Sequence, residues 1–133
     1  KILISAFHIM KDMRWNNKIV LVTGGNGFLG RQVVKQLEKR NPQKIICPSS
    51  KDCDLREKEN CKQIVKNVDY IFHLAGKGGG IGIQKENSAE IFYDNIMMST
   101  NLIHESKEAN VEKFIAIGTV CSYPKFAKIP FTE

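Results

Sequence analysis

"IVLVTGGNGFLG", residues 19–30, sets an apolar run directly in front of four glycines packed into the seven positions 24–30. The run after Asn16-Asn17, from Lys18 to Val22, has no polar alternation, which suits a strand covered on both faces. Beyond the glycines, Leu29, Val33, Val34 and Leu37 recur at helical spacing until Asn41-Pro42 stops the pattern, predicting a helix over 28–40. Counted from Gly25 the turn reads G-x-G-x-x-G, and from Gly24 it reads G-x-x-G-x-x-G. A buried strand, a bare turn and a helix in one short unit are what a dinucleotide fingerprint requires. One glycine permits the tight turn, Gly27 lets backbone amides approach a pyrophosphate, and Gly30 lets the helix pack closely on the strand. The helix start then offers N–H groups and a positive dipole end to phosphates. Gly24, Gly27, Phe28, Leu29 and Gly30 are the expected pyrophosphate cradle.

Further along, 44–47 is a second short apolar strand closed by Pro48-Ser49-Ser50, and 55–66 reads as an amphipathic helix with Cys61, Ile64 and Val65 on one side. "DYIFHLA", 69–75, is a third covered strand. "GKGGGIG", 76–82, is expected to be loop, because so many glycines forfeit too much chain entropy elsewhere. A long helix follows, with Asn87 and Glu90 spaced like a capping box and an apolar stripe through Ile91, Met98, Leu102 and Ile103, ending near Asn110. "KFIAIG", 113–118, is a fourth strand. Strand and helix alternate, which predicts an α/β, Rossmann-type, doubly wound parallel sheet, here its N-terminal portion, over 18–133. Residues 1–17 are expected to be an arm or an upstream addition.

In such folds the tip of the second strand reads the adenosine ribose. Here it carries Ser49, Ser50 and Lys51, with Asp52 slightly late. Hydroxyls and a lysine accept a 2'-phosphate that a carboxylate repels, so NADP is the expected cofactor, with NAD the alternative. The formal charge of +6 is spread without a Lys/Arg run of five, so a solvated surface and phosphate-bearing small molecules are expected rather than nucleic acid. Cys47, Cys53, Cys61 and Cys121 form no C-x-x-C pair, and His8, His73 and His104 stand at no zinc-ligand spacing. No metal is expected, and the thiols are read as reduced, in a cytoplasmic protein. The stretch Ile2 to Met10 is too short for a bilayer span, so no membrane association is expected.

Together "TGGNGFLG" (23–30), "DL" (54–55), "HLAG" (73–76) and "YDNIMMSTNLIHESKEANVEKFIAIGTVCSYP" (93–124) resemble the extended short-chain dehydrogenase/reductase family of nucleotide-sugar epimerases, dehydratases and reductases. Within it, "GGIG" (79–82), "NIMMSTNLIHE" (95–105) and "CSYPKFAKIPFTE" (121–133) are similar to the GDP-L-fucose synthase branch, which uses NADP on a GDP-4-keto-6-deoxy sugar. The resemblance implies that Asp54 and Leu55 lie against adenine, and that Leu74, Ala75 and Gly76 pass close to the cofactor. It places Asn95 near the active site and Thr119 where a hydroxyl bonds the reacting sugar oxygen. It assigns Cys121 acid/base work, for which a thiol must titrate below its ordinary value of about 8.5. It further implies a nucleotide-diphosphate sugar as substrate and a homodimer. The family's Tyr-x-x-x-Lys pair is missing, since Tyr70, Tyr93 and Tyr123 are followed four positions later by Leu74, Met97 and Ala127. The chain is therefore expected to be the cofactor-binding N-terminal part of such an enzyme, inactive by itself. The alternatives are another activity of the same family or a non-catalytic dinucleotide-binding module.

Overall fold

The computed structural model describes residues 13–119, 123, 124 and 126, without the side chain of Ile81. Four strands, β1 (Ile19–Thr23), β2 (Lys44–Ile46), β3 (Tyr70–His73) and β4 (Lys113–Ala116), form one parallel sheet in the order β2-β1-β3-β4. Between them run α1 (Phe28–Glu38), α2 (Lys58–Ile64), the short α3 (Ile81–Glu86) and the long α4 (Ser88–Glu108). The α/β doubly wound reading therefore holds.

The covered-strand reading of β1 holds because alternate side chains enter two separate cores. Val20 and Val22 join Tyr70 and Phe72 under α1, packed on Val33 and Leu37. Leu21 and Ile71 point the other way, toward Leu55, Cys61, Val65 and Leu102 of the α2 and α4 layer. The described part of the expected N-terminal arm, 13–17, packs into the first core. Met13 and Trp15 are each 8% exposed. Trp15 stacks on Phe72, meets Tyr70 edge-on, and lies under the Arg40 guanidinium. The Tyr70 hydroxyl donates to the Arg14 carbonyl.

Every strand is entered through an asparagine with positive φ: Asn17, Asn41, Asn67 and Asn110. Asparagine tolerates this left-handed region better than other side-chain-bearing residues, and Asn41, Asn67 and Asn110 serve where the ends of α1, α2 and α4 must reverse, while Asn17 sits in the turn before β1. At Asn110, the Val111 N–H reaches back to the Ser106 carbonyl in a Schellman-like closure. At the same end of the sheet Lys18 is paired with Asp69 and Glu112, and Asp69 also accepts the Ile19 N–H at 2.7 Å, joining the starts of β1, β3 and β4.

Four local expectations are corrected. The helix expected over 55–66 begins only at Lys58, because the Asp54 carboxylate accepts the Arg56 N–H at 3.0 Å and holds 54–57 in a turn. The expected loop ends early, since Ile81 and Gly82 belong to α3. The capping box does not form: the Asn87 side chain donates back to the Ile83 carbonyl, and Glu90 pairs with Lys77. Ile103 leaves the expected apolar stripe, being 51% exposed while neighbouring Leu102 is fully buried.

Candidate functional site

β1 hands the chain to one side of the sheet and β3 continues on the other, so a crevice opens above their C-terminal ends, the switch point where doubly wound folds bind ligands. A cleft of about 590 Å³ lies there. Its floor is Thr23, Gly24 and Asn26; one side is the Pro48-Ser49-Ser50 tip of β2; another is Cys53 to Arg56; the rest is Ala75, Gly76, Lys77, Asp94 and Met98.

The glycine turn is tight enough that two of its residues admit no side chain. Gly24 has φ +69°, and a Cβ there would lie 2.7 Å from the backbone of Leu74 and Ala75. A Cβ on Gly30 would lie 2.1 Å from the Gly24 carbonyl oxygen. The Gly27 N–H closes the turn onto that same oxygen at 2.9 Å. Gly27 then caps α1 with no side chain and no acidic residue in the first turn. The start of α1 thus presents backbone N–H groups with no side-chain cap and no competing carboxylate, which suits a diphosphate.

Thr23, at the end of β1, links the floor to β3. Its hydroxyl meets His73 Nδ1 at 2.7 Å and receives the Ala75 N–H at 3.4 Å, while His73 Nε2 meets the Ser99 hydroxyl on α4 at 3.2 Å. Burial lowers the His73 pKa, favouring the neutral ring.

Across the cleft runs a chain of alternating charges. Arg56 grips Asp54 through Nη2 (2.6 Å) and Nε (3.0 Å), and its Nη1 reaches Asp94 at 3.2 Å. Asp94 also accepts from Lys77 Nζ at 2.8 Å, and Lys77 continues to Glu90. The guanidinium holds the Asp54 carboxyl down at about 2. Lys77, then Arg56, keep the Asp94 pKa low against the opposing effect of burial.

Of the expected cofactor residues, Gly24, Ser49, Ser50, Asp54, Leu55, Ala75 and Gly76 line this cleft. Gly27, Phe28, Leu29 and Gly30 form the end of the turn and the first turn of α1, with the Phe28 side chain 84% exposed. Leu74 contributes backbone beside Gly24. Leu55 faces the cleft in part, but its side chain is 5% exposed and belongs mainly to the second core. Lys51 is exposed outside the cleft lining. Asp52 comes closer than its sequence position implies, accepting the Ser49 hydroxyl proton at 2.5 Å. The Asn95 amide is engaged at both ends by one residue, accepting the Lys77 N–H at 2.7 Å and donating to the Lys77 carbonyl at 2.8 Å, so it serves as a loop fastener. Thr119 is exposed beyond β4, apart from the cleft lining, and Cys121 lies outside the described residues. Sequence reasoning missed Arg56, Lys77, Asp94 and the Thr23–His73–Ser99 link. Arg56 directly follows the "DL" pair, which was the one available signal.

The profile of the NAD dependent epimerase/dehydratase family matches residues 20–133. The chain belongs to that family. Among its epimerase/dehydratase relatives, a GDP-L-fucose synthase from Dictyostelium discoideum is 31% identical over 89% of this chain and 38% of its own length. A GDP-mannose 3,5-epimerase from Arabidopsis thaliana is 28% identical over 92% of this chain and 37% of its own. The chain thus spans little more than a third of these curated relatives. A solved GDP-L-fucose synthetase from Naegleria fowleri bound to NADP superposes with a TM-score of 0.76 at 28% identity, covering 90% of this chain and 37% of that one. Among the described residues of this family member, no group of His, Cys, Asp and Glu could hold a metal ion, and no helix is long and apolar enough to cross a membrane.

Proposed function

We propose that this chain is the dinucleotide-binding part of an NADP-dependent epimerase/reductase acting on a GDP-4-keto-6-deoxy sugar, in the manner of a GDP-L-fucose synthase. The observation that carries the reading is the cleft at the switch point, floored by a turn in which Gly24 and Gly30 leave no room for a Cβ and Gly27 caps the helix without a side chain. The chemistry of that donor set fits a pyrophosphate. The α1 start would hold the diphosphate, Asp54 the adenine edge, Ser49 and Ser50 the ribose, and Ala75 with Gly76 the path toward the reactive end. These residues would hold the cofactor, and the chemistry it would supply there is hydride for the sugar ketone. Thr119 would then bond the sugar oxygen and Cys121 would exchange protons during epimerisation. Asn95 acts one step back by holding the Lys77 peptide.

In this reading the 133 residues bind cofactor weakly and without turnover, since they hold no Tyr-x-x-x-Lys. The test is fluorescence titration of the chain with NADPH and NADH. Saturable NADPH binding that Gly24→Val abolishes supports the proposal, and absence of binding for both cofactors overturns it. The GDP-mannose 3,5-epimerase relative favours a second reading, an epimerase that regenerates its cofactor; net NADPH consumption by an extended form carrying the base decides between the two. A homodimer belongs to the same proposal, supported by exposed Phe92 (68%) and Ile96 (46%) on α4 and by the edge position of β4. Light scattering that shows a monomer at high concentration would remove it.

A further inference from the structure

The rims of the cleft belong to two different connections, Asp54 to Arg56 before α2 and Gly76 to Lys77 before α3, and neither lies on a strand. Both are fastened to one helix. From α4, Asn101 donates to the Arg56 carbonyl at 2.7 Å and Asn95 brackets the Lys77 peptide, while the adjacent Asp94 carboxylate receives Arg56 at 3.2 Å and Lys77 at 2.8 Å. The Asp94 side chain is only 5% exposed, whereas its two cations are 45% and 41% exposed. A buried carboxylate is costly unless paired, and here its pairing draws on both rims at once. Beyond Lys77 the loop is fastened to α3 rather than to α4, by the Gln84 side chain donating to the Gly79 carbonyl at 2.9 Å.

We infer that Asp94 is the positioning residue of this cleft, a single buried carboxylate that ties the adenine-side rim at Arg56 to the loop rim at Lys77, so that the two rims bind ligand as one unit. Arg56 and Lys77 share no bond with each other in this arrangement, only their common partner. Removing either cation leaves Asp94 with the other alone, so removing both does more than the two single losses predict. Replacing Asp94 releases the Arg56 and Lys77 side chains from their shared partner, leaving each rim only its separate asparagine, and abolishes that coupling.

The probe, NADPH, rests on the proposed cofactor reading; the fastening itself does not. In the 133-residue chain, NADPH affinity is measured for Arg56→Gln, Lys77→Gln and the double variant, with and without Asp94→Asn. Asp94→Asn is expected to weaken binding about tenfold, and the two glutamine variants to be non-additive by about threefold or more with Asp94 present and additive without it. A stability effect alone would not produce a coupling that vanishes in this way. Amide exchange at Lys77, read without ligand, should accelerate at least tenfold in Asp94→Asn, since the N–H bonded by Asn95 loses its neighbouring anchor. If the wild type binds no NADPH while exchange accelerates, the cofactor reading fails and the inference stands. Additive glutamine variants, or unchanged exchange at Lys77, overturn the inference. Should Asp94→Asn not fold, the cycle with Asp94 present decides alone.

Discussion

Replacing Gly30 by alanine tests the idea that the turn and α1 are packed backbone on backbone. The added Cβ would sit 2.1 Å from the Gly24 carbonyl oxygen and 2.7 Å from the Gly25 Cα. That is about 1 Å or more inside ordinary contact, and the opposing atoms are main chain, with no flexible side chain to turn aside. α1 must therefore retreat, at an overpacking cost of about 1–3 kcal/mol. The Gly24 oxygen also accepts the Gly27 N–H at 2.9 Å, and losing that bond adds about 1 kcal/mol. A total of about 2–4 kcal/mol is a large share of the ~5–15 kcal/mol that holds a domain together. In urea it should lower the midpoint by about 1–2 M at unchanged slope. The NADPH titration should weaken more than tenfold, because the N–H groups that face the diphosphate move with the helix. Gly82→Ala is the control: it lies inside α3 with nothing within 4 Å of the new Cβ, and should stabilise by up to about 1 kcal/mol. A Gly30→Ala midpoint equal to wild type, or an equal loss from Gly82→Ala, would refute the packing argument.

Trp15→Ala removes a ring stacked on Phe72 and edge-on to Tyr70, and should cost about 3–5 kcal/mol in urea unfolding, whereas an arm outside the domain would cost nothing. The buried His73 has a lowered pKa, so as pH falls below about 6.5 the unfolded chain takes a proton that the folded one resists, and stability declines until the lower folded value is reached. Melts between pH 7.5 and 5 should show this decline in wild type and a flatter profile in His73→Gln; parallel profiles would rule it out. Asp54, held at about 2, acts in a separate window, its contribution being lost only as pH drops below about 4 toward that value. Asp52→Asn removes a carboxylate bonded to the Ser49 hydroxyl at the ribose-reading tip, and should shift the NADPH-to-NADH affinity ratio toward NADPH by about fivefold; an unmoved ratio would place Asp52 outside that contact.

The sheet was legible because a strand covered on both faces must be apolar at consecutive positions, as 19–22, 45–47 and 70–72 are. The glycine turn was legible for a matching reason: Gly24 and Gly30 sit where backbone meets backbone, and no other residue type fits. What escaped was set by partners distant in sequence. Asp94 pairs with residues 38 and 17 positions away, so nothing in "YDN" marks it as a bridge. Asn87 and Glu90 carried a capping spacing, but α3 ends at that point and claims Asn87, while Lys77 claims Glu90. α3 itself was hidden by its glycine, which is tolerated because the Gln84 side chain anchors to the Gly79 carbonyl while its N–H closes onto Gly80. The sequence placed Asn95 near the active site; that its amide is engaged with the Lys77 peptide was not legible, because Lys77 lies 18 positions away.

The two ends of the sheet divide the work. At the strand starts, the left-handed asparagines and the Lys18–Asp69–Glu112 cluster join β1, β3 and β4 without touching the cleft. At the strand ends, every polar device is turned on the cleft rims: the glycine turn, the Thr23–His73–Ser99 link and the charge chain through Asp94. α4 is the element that spans this second end, carrying Asp94, Asn95, Ser99 and Asn101 within eight positions while Leu102 keeps it seated in the core. Changes at the strand starts should therefore alter stability alone, whereas changes along 94–101 of α4 should alter ligand affinity before they alter stability. That separation follows from geometry, because ion pairs and amide bonds from one rigid helix fix loops that the sheet hydrogen bonds do not reach.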